Sequence, residues 1–98
     1  MEVTFRTRRL ERNYAESSRS IREWGPDVGR RYIRRVNELQ ALPTFQDMFD
    51  VSQLRAHPYK ADPGTYIVDL VGRWRLLLRQ GERDDQLIIE EVSNHYDD

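Results

Sequence analysis

Apolar residues change their repeat once along this 98-residue chain, and that change limits the core it can build. Between Pro26 and Leu42, Val28, Tyr32, Ile33, Val36, Leu39 and Leu42 fall on one face of a helix. Between Arg73 and Gln80 the repeat is two. Trp74, Leu76 and Leu78 take one side of a strand, and Arg73, Arg75, Leu77 and Arg79 take the other. Each element is apolar on one side only, so each needs a partner layer. The fold class expected is α+β, a small twisted sheet with helices on one face and its other face partly open.

The remaining elements fit around that frame. Val3-Thr4-Phe5 reads as an opening strand, and Thr7 to Ser20 as a helix with Leu10 and Tyr14 on its apolar side. Gly25-Pro26 starts a second helix, Pro43 ends it, and together they make a two-helix hairpin. Residues 44–53 read as loop or broken helix. Leu54 to His57 reads as a short strand stopped by Pro58, and Asp62-Pro63-Gly64 as a turn. Thr65–Val71 and Arg73–Gln80 form a hairpin across Gly72, and Gln86–Val92 adds another strand after the turn at 81–85. The expected order is β-αα-ββββ, with the later strands as an antiparallel meander. Trp24 is expected to pack at the helix turn, and Tyr14, Tyr32, Tyr66 and Trp74 to pack in or against the core.

Composition narrows the class. Residues 1–98 make one domain, with 38% hydrophobic and 34% charged residues, enough apolar material for one small core. The absence of cysteine excludes disulfides, thiolate metal sites and a cysteine nucleophile. No apolar run approaches the ~18 residues of a membrane helix. Met1 to Phe5 lacks a basic-then-apolar leader, so a cytoplasmic location is expected. The formal charge of −1 conceals a segregation: residues 1–79 carry 15 basic and 10 acidic side chains, residues 80–98 one and seven. Fifteen of the 16 basic residues are arginine, whose planar fork suits phosphate; Lys60 is the only lysine. An arginine-rich body permits an anionic partner, though solvated, salt-bridged surface charge accounts for the composition as well.

One ordered set of segments is distinctive: Leu54-Arg55-Ala56-His57-Pro58-Tyr59-Lys60, then Tyr66 to Leu76 with Trp74-Arg75, then Glu91-Val92-Ser93-Asn94-His95-Tyr96. With the arginine-rich helix before it, this set resembles the HigB-type toxins of the RelE/ParE superfamily over nearly the whole chain. The resemblance implies a small RelE-like fold and the toxic half of a type II toxin–antitoxin pair. It implies metal-free cleavage of messenger RNA on the 70S ribosome, no cofactor, and a HigA-like helix-turn-helix antitoxin as partner. On the family pattern the His-Pro-x-Lys histidine and lysine fall on His57 and Lys60, and the arginine after tryptophan falls on Arg75. The family ends in Asp-Tyr-His; here the stretch reads Asn94-His95-Tyr96, and an acidic tail follows.

The residues themselves bear on that chemistry. Metal-free RNA cleavage needs a base for the 2′-hydroxyl, cations for the phosphorane and an acid for the leaving 5′-oxygen. His57 and His95 are the only histidines, and an imidazole's ordinary pKa of ~6.5 suits either proton-transfer role. Lys60 is a candidate base or point charge on phosphate. Arg75 is the central cation of the strand's arginine row, with Arg73 and Arg79 in support. Tyr96 is a candidate proton donor or base-stacking ring, and Tyr59 a second stacking candidate, with Asn94 beside them in the terminal motif. The competing reading pairs these arginines with Asp69, Glu90 or Glu91 of neighbouring strands, and from sequence it bears on Arg79 more than on Arg75. Two further functions stay open: a ParE-like gyrase inhibitor without catalysis, and a degenerate relative that only binds an antitoxin.

Overall fold

The computed structural model describes residues 1–94. Strand β1 (Glu2–Phe5) leads into three helices, α1 (Arg8–Ala15), α2 (Ser17–Trp24) and α3 (Pro26–Gln40). Two 3₁₀ turns, Phe45–Asp50 and Ser52–Leu54, return the chain to the sheet. Strands β2 (His57–Pro58), β3 (Tyr66–Asp69), β4 (Arg75–Gln80) and β5 (Gln86–Ser93) complete it. The sheet order is β1-β5-β4-β3-β2, in which β2 to β5 form an antiparallel meander and β1 adds to β5 in parallel. The α+β architecture expected from the sequence is therefore the one observed, and it is consistent with a small RelE-like fold. No helix among the described residues is long and apolar enough to cross a membrane.

The strands follow the alternation of their residues. Leu76 and Leu78 of β4, Val68 of β3, and Leu87 and Ile89 of β5 are buried on the helix side of the sheet. Against them pack Val28, Tyr32, Val36 and Leu39 of α3, each one helical turn from the next. Tyr32 is fully buried, donates its hydroxyl to the Leu10 carbonyl at 2.8 Å, and meets Trp24 edge-on at 4.9 Å between centroids. Burial raises its phenol well above the ordinary range. Phe45, Phe49 and Tyr66 close the far end as an edge-to-face trio.

The expected first helix is broken in two. Thr7 caps α1 by accepting from the Leu10 amide at 3.2 Å, and Glu16 then adopts an extended conformation (φ −129°, ψ 106°). Without that break Arg9 and Glu23 would stand about 21 Å apart along one axis. Instead Arg9 Nε donates to Glu23 Oε2 at 2.7 Å and Asn13 donates to Glu23 Oε1 at 2.8 Å. The Arg9 guanidinium, with Asn13 in support, holds the Glu23 carboxyl below its usual range. That contact stabilises the folded chain above the ordinary carboxylate range and is lost as pH falls through the lowered value.

Helices α2 and α3 touch through small residues. The Ser20 hydroxyl bonds to the Gly29 carbonyl at 3.3 Å, and a Cβ built on Gly29 would lie 2.7 Å from the Ile21 nitrogen and 2.8 Å from the Ser20 carbonyl oxygen. These neighbours are backbone atoms and cannot yield by a rotamer change. Gly29→Ala is expected to destabilise the fold by about 1–3 kcal/mol despite alanine's better helix propensity. Urea denaturation checks this, and an unchanged or raised midpoint would contradict it.

Beside the apolar stripe of α3, the helical spacing puts Arg30, Arg31, Arg34 and Arg35 on its flanks and outer face, and two of them turn back toward the sheet. Arg35 is 4% exposed. Its Nε donates to the Asp69 carbonyl at 2.9 Å, Nη2 to the Gln53 carbonyl at 3.1 Å and Nη1 to Glu38 at 2.7 Å. Arg31 donates to the Leu70 carbonyl at 3.2 Å. Two of the four arginines thus tie α3 to the sheet.

Candidate functional site on the open sheet face

The helices cover one face of the sheet, and the pairing register defines what stands on the other. Three rows cross it. The first joins Asp69, Arg75 and Ser93, the second His57, Ile67, Leu77 and Glu91, and the third Arg79 and Ile88. Tyr59 and Thr65 extend the third row, since the Tyr59 amide donates to the Thr65 carbonyl at 2.9 Å and Arg79 donates to the Thr65 hydroxyl at 3.2 Å. Ile67 is only 2% exposed although it faces away from the helices. It lies between His57 and Leu77 on the flanking strands. The open face therefore has an apolar middle with charged rows above and below.

His57 is aimed by its neighbour Arg55. After the second 3₁₀ turn, Arg55 takes a left-handed conformation (φ 52°, ψ 41°), unusual for a residue other than glycine, and swings the chain into β2. Its carbonyl then lies 2.6 Å from His57 Nδ1. A carbonyl oxygen can only accept, so Nδ1 carries the proton, and the neutral ring has its lone pair on Nε2. A fixed tautomer of this kind suits a general base.

Arg75 is held more tightly than the sequence reading expects. Its Nε lies 3.3 Å from Asp69 Oδ1, and Nη1 donates to the carbonyls of Gly72 at 2.7 Å and Trp74 at 3.0 Å. Arg55 Nε approaches the other oxygen of Asp69 at 3.2 Å. Asp69 is thus clamped between two guanidiniums, with side-chain exposures of 16% for Arg75, 24% for Asp69 and 76% for Arg55. Arg79 pairs more loosely, 3.6 Å from Glu90 and 3.9 Å from Asp62, and is 41% exposed. The ion-pair reading accordingly holds for Arg75 as well as Arg79, because cross-strand register sets Asp69 directly opposite Arg75.

A slip in register explains the second acidic group. Leu77 pairs with Glu91 but Leu78 pairs with Ile89, so Glu90 is an extra residue on β5. Its carboxylate reaches Arg79 and also Arg6, the latter at 3.1 Å. A pocket of ≈ 220 Å³ opens here, lined by Arg6, Asp62, Thr65, Leu77, Arg79, Glu90 and Glu91. Two cations and three carboxylates leave it without cationic excess.

The structure brings together only part of the residue set singled out from sequence. His57, Tyr59, Arg75 and Arg79 share the open face. His57 and Arg75 are two strands and two residue steps apart, about 12 Å between Cα atoms. That span lies within reach of an imidazole and a guanidinium acting on one phosphodiester. Lys60 does not join them. It is exposed in the turn between β2 and β3, beyond Tyr59, and Tyr59 already lies about 16 Å from Arg75. Arg73 and Asn94 lie at the opposite end of the strands. They line a shallow pocket of ≈ 440 Å³ with Trp24, Trp74 and the turns at Gly25 and Gly72. His95 and Tyr96 fall outside the described residues.

Two contributors escape the sequence reading as site residues: Arg55, the second cation on Asp69, and Asp69 itself as the centre of a charged row. Strand alternation gives no signal for the first, because Arg55 leaves extended geometry in a left-handed conformation before β2 begins. Among the described residues no group of three or more histidine, aspartate or glutamate side chains could hold a metal ion. No protein-family model matches the chain, and neither a curated protein nor a solved structure matches it.

Proposed function

We propose that this chain is the toxin of a type II toxin–antitoxin pair and a ribosome-dependent messenger RNA endoribonuclease acting in the cytoplasm. The observation that carries the reading is the placement of His57, its Nδ1 held by the Arg55 carbonyl, and Arg75 on the same sheet face, the one the helices do not cover. The reaction assigns His57 the proton of a ribose 2′-hydroxyl. The 2′-oxygen attacks phosphorus, Arg75 stabilises the added negative charge, and the bond to the 5′-oxygen breaks as that oxygen takes a proton. The products are a 2′,3′-cyclic phosphate and a 5′-hydroxyl. His95 and Tyr96, candidates for the acid, belong to the terminal motif of the resemblance. The neutralising partner is a helix-turn-helix antitoxin of the HigA type, and the ribosome supplies the substrate.

A second reading is favoured by one specific observation: the guanidiniums of Arg75 and Arg79 both face carboxylates of the chain itself. A non-catalytic toxin that inhibits gyrase, or a relative that only binds its antitoxin, needs no cation available to phosphate. Induced expression in a bacterium lacking the antitoxin separates the three. The expected result is arrested growth together with new transcript ends bearing cyclic phosphate and 5′-hydroxyl. Arrest with intact transcripts and inhibited supercoiling by purified gyrase would establish the second reading instead. Unimpeded growth would leave only antitoxin binding.

A further inference from the structure

The helical layer carries a cleft that no part of the proposed reaction uses. It has a volume of ≈ 370 Å³ and is lined by Arg9, Arg12, Asn13, Arg19, Arg22 and Glu23. Arg9 and Arg12 lie three residues apart on α1, and Arg19 and Arg22 three apart on α2, so each pair is stacked about one helical turn, ~5–6 Å, apart. Arg9 is committed to Glu23, which Asn13 also holds. Arg19 reaches Glu16 in an exposed pair that an incoming anion can displace at little cost. Arg12 and Arg22 are exposed and enter no ion pair among the described residues.

We infer that this α1–α2 cleft is a docking site for a carboxylate-rich polypeptide segment whose acidic side chains recur at one helical turn. Four guanidiniums against one lining carboxylate give it a cationic excess, which selects an anionic partner. The pattern of charge selects among anions. Glu16, paired with Arg19, and Glu23, paired with Arg9, interrupt the cationic track. A nucleic acid carries a charge on every unit and would set phosphates against those carboxylates. A polypeptide can present carboxylates to Arg12, Arg19 and Arg22 and neutral side chains to Glu16 and Glu23. The cleft already accommodates a carboxylate: Glu23 receives Arg9 on one oxygen and Asn13 on the other. No residue of the open sheet face takes part, so this inference and the cleavage reading stand or fall separately.

Fluorescence polarisation of the full chain tests it, with a labelled peptide bearing glutamates one turn apart and a labelled single-stranded RNA as probes. The peptide is expected to bind with an affinity that falls as salt rises. Arg12→Glu combined with Arg22→Glu is expected to weaken it by about tenfold or more, while thermal melting stays unchanged because both side chains are exposed. Arg30→Glu combined with Arg34→Glu, on α3 and outside the cleft, is expected to leave peptide affinity within about twofold. The inference is overturned by any of three results: no peptide binding, binding that survives the Arg12 and Arg22 reversal, or tighter binding of the RNA that the same reversal abolishes. Self-association of the chain that the reversal removes, in place of peptide binding, would overturn it too.

Discussion

Replacing Arg35 with alanine is expected to cost about 3–5 kcal/mol of stability, a large share of what a domain of this size has. The side chain is nearly inaccessible and joins three separate segments: α3 through Glu38, the second 3₁₀ turn through the Gln53 carbonyl and β3 through the Asp69 carbonyl. Alanine takes this donor from the Asp69 and Gln53 carbonyls and leaves the space unfilled, and both losses act in the same direction. Arg35→Lys is informative beside it. One ammonium cannot reproduce the planar fork that reaches three acceptors, so lysine recovers less than half of the loss. Thermal melting should show a drop of about 12 °C or more for alanine. A drop of only a few degrees would mean that α3 is held to the sheet by apolar packing alone. The consequence reaches the open face, because the Asp69 backbone that Arg35 fixes carries the carboxylate held by Arg55 and Arg75.

Much of this architecture was legible in the residues because one-sided apolar repeats leave few ways to bury them. The stripe of α3 and the alternation of β4 lie where the spacing puts them, and Leu76 and Leu78 face the helices while Arg75, Leu77 and Arg79 face away. Other features depend on tertiary neighbours that spacing does not reveal. The break at Glu16 is set by Arg9 and Asn13 reaching Glu23, a contact between residues that no local propensity connects. Arg35 is an ordinary charged position on a helical wheel, yet it is buried because three acceptors happen to converge on it. The parallel pairing of β1 with β5 joins the two ends of the described chain, the longest sequence separation in the sheet.

The candidate site was legible in its residue types and less so in its electrostatics. Alternation places His57 and Tyr59 on one side, and register places Arg75 and Arg79 on the same surface. That Asp69 would hold Arg75 follows from the same register, since the hairpin across Gly72 makes the two direct partners. Lys60 shows the opposite case. Being the only lysine made it conspicuous, but it lies in the turn that follows Tyr59, after the last strand-paired residues of β2.

If the open face cleaves RNA, His57→Ala is expected to lower the rate of transcript cleavage by about 10²–10⁴-fold, the usual contribution of a positioned proton acceptor. Arg75→Ala is expected to lower it by about 10²–10³-fold, the usual cost of losing one preorganised partner of a developing anion. The ion pair with Asp69 does not forbid this role, because Asp69 has a second cation. When Arg75 turns toward a phosphorane, Arg55, which is largely exposed, remains on the other carboxylate oxygen and keeps that charge compensated. Arg55→Ala should therefore slow cleavage more than its distance from the chemistry implies, by about tenfold, since Arg75 would have to leave an otherwise unpaired carboxylate. Arg79→Ala, at the other end of the face and paired with Glu90, is expected to change the rate by less than about threefold. Single-turnover cleavage on purified ribosomes programmed with a defined message measures all four, with melting curves to confirm folding. A folded Arg75→Ala protein that cleaves at the unmodified rate would remove the phosphorane role. An equal loss at Arg75 and Arg79 would mean that the face merely attracts RNA by charge, without a placed transition state.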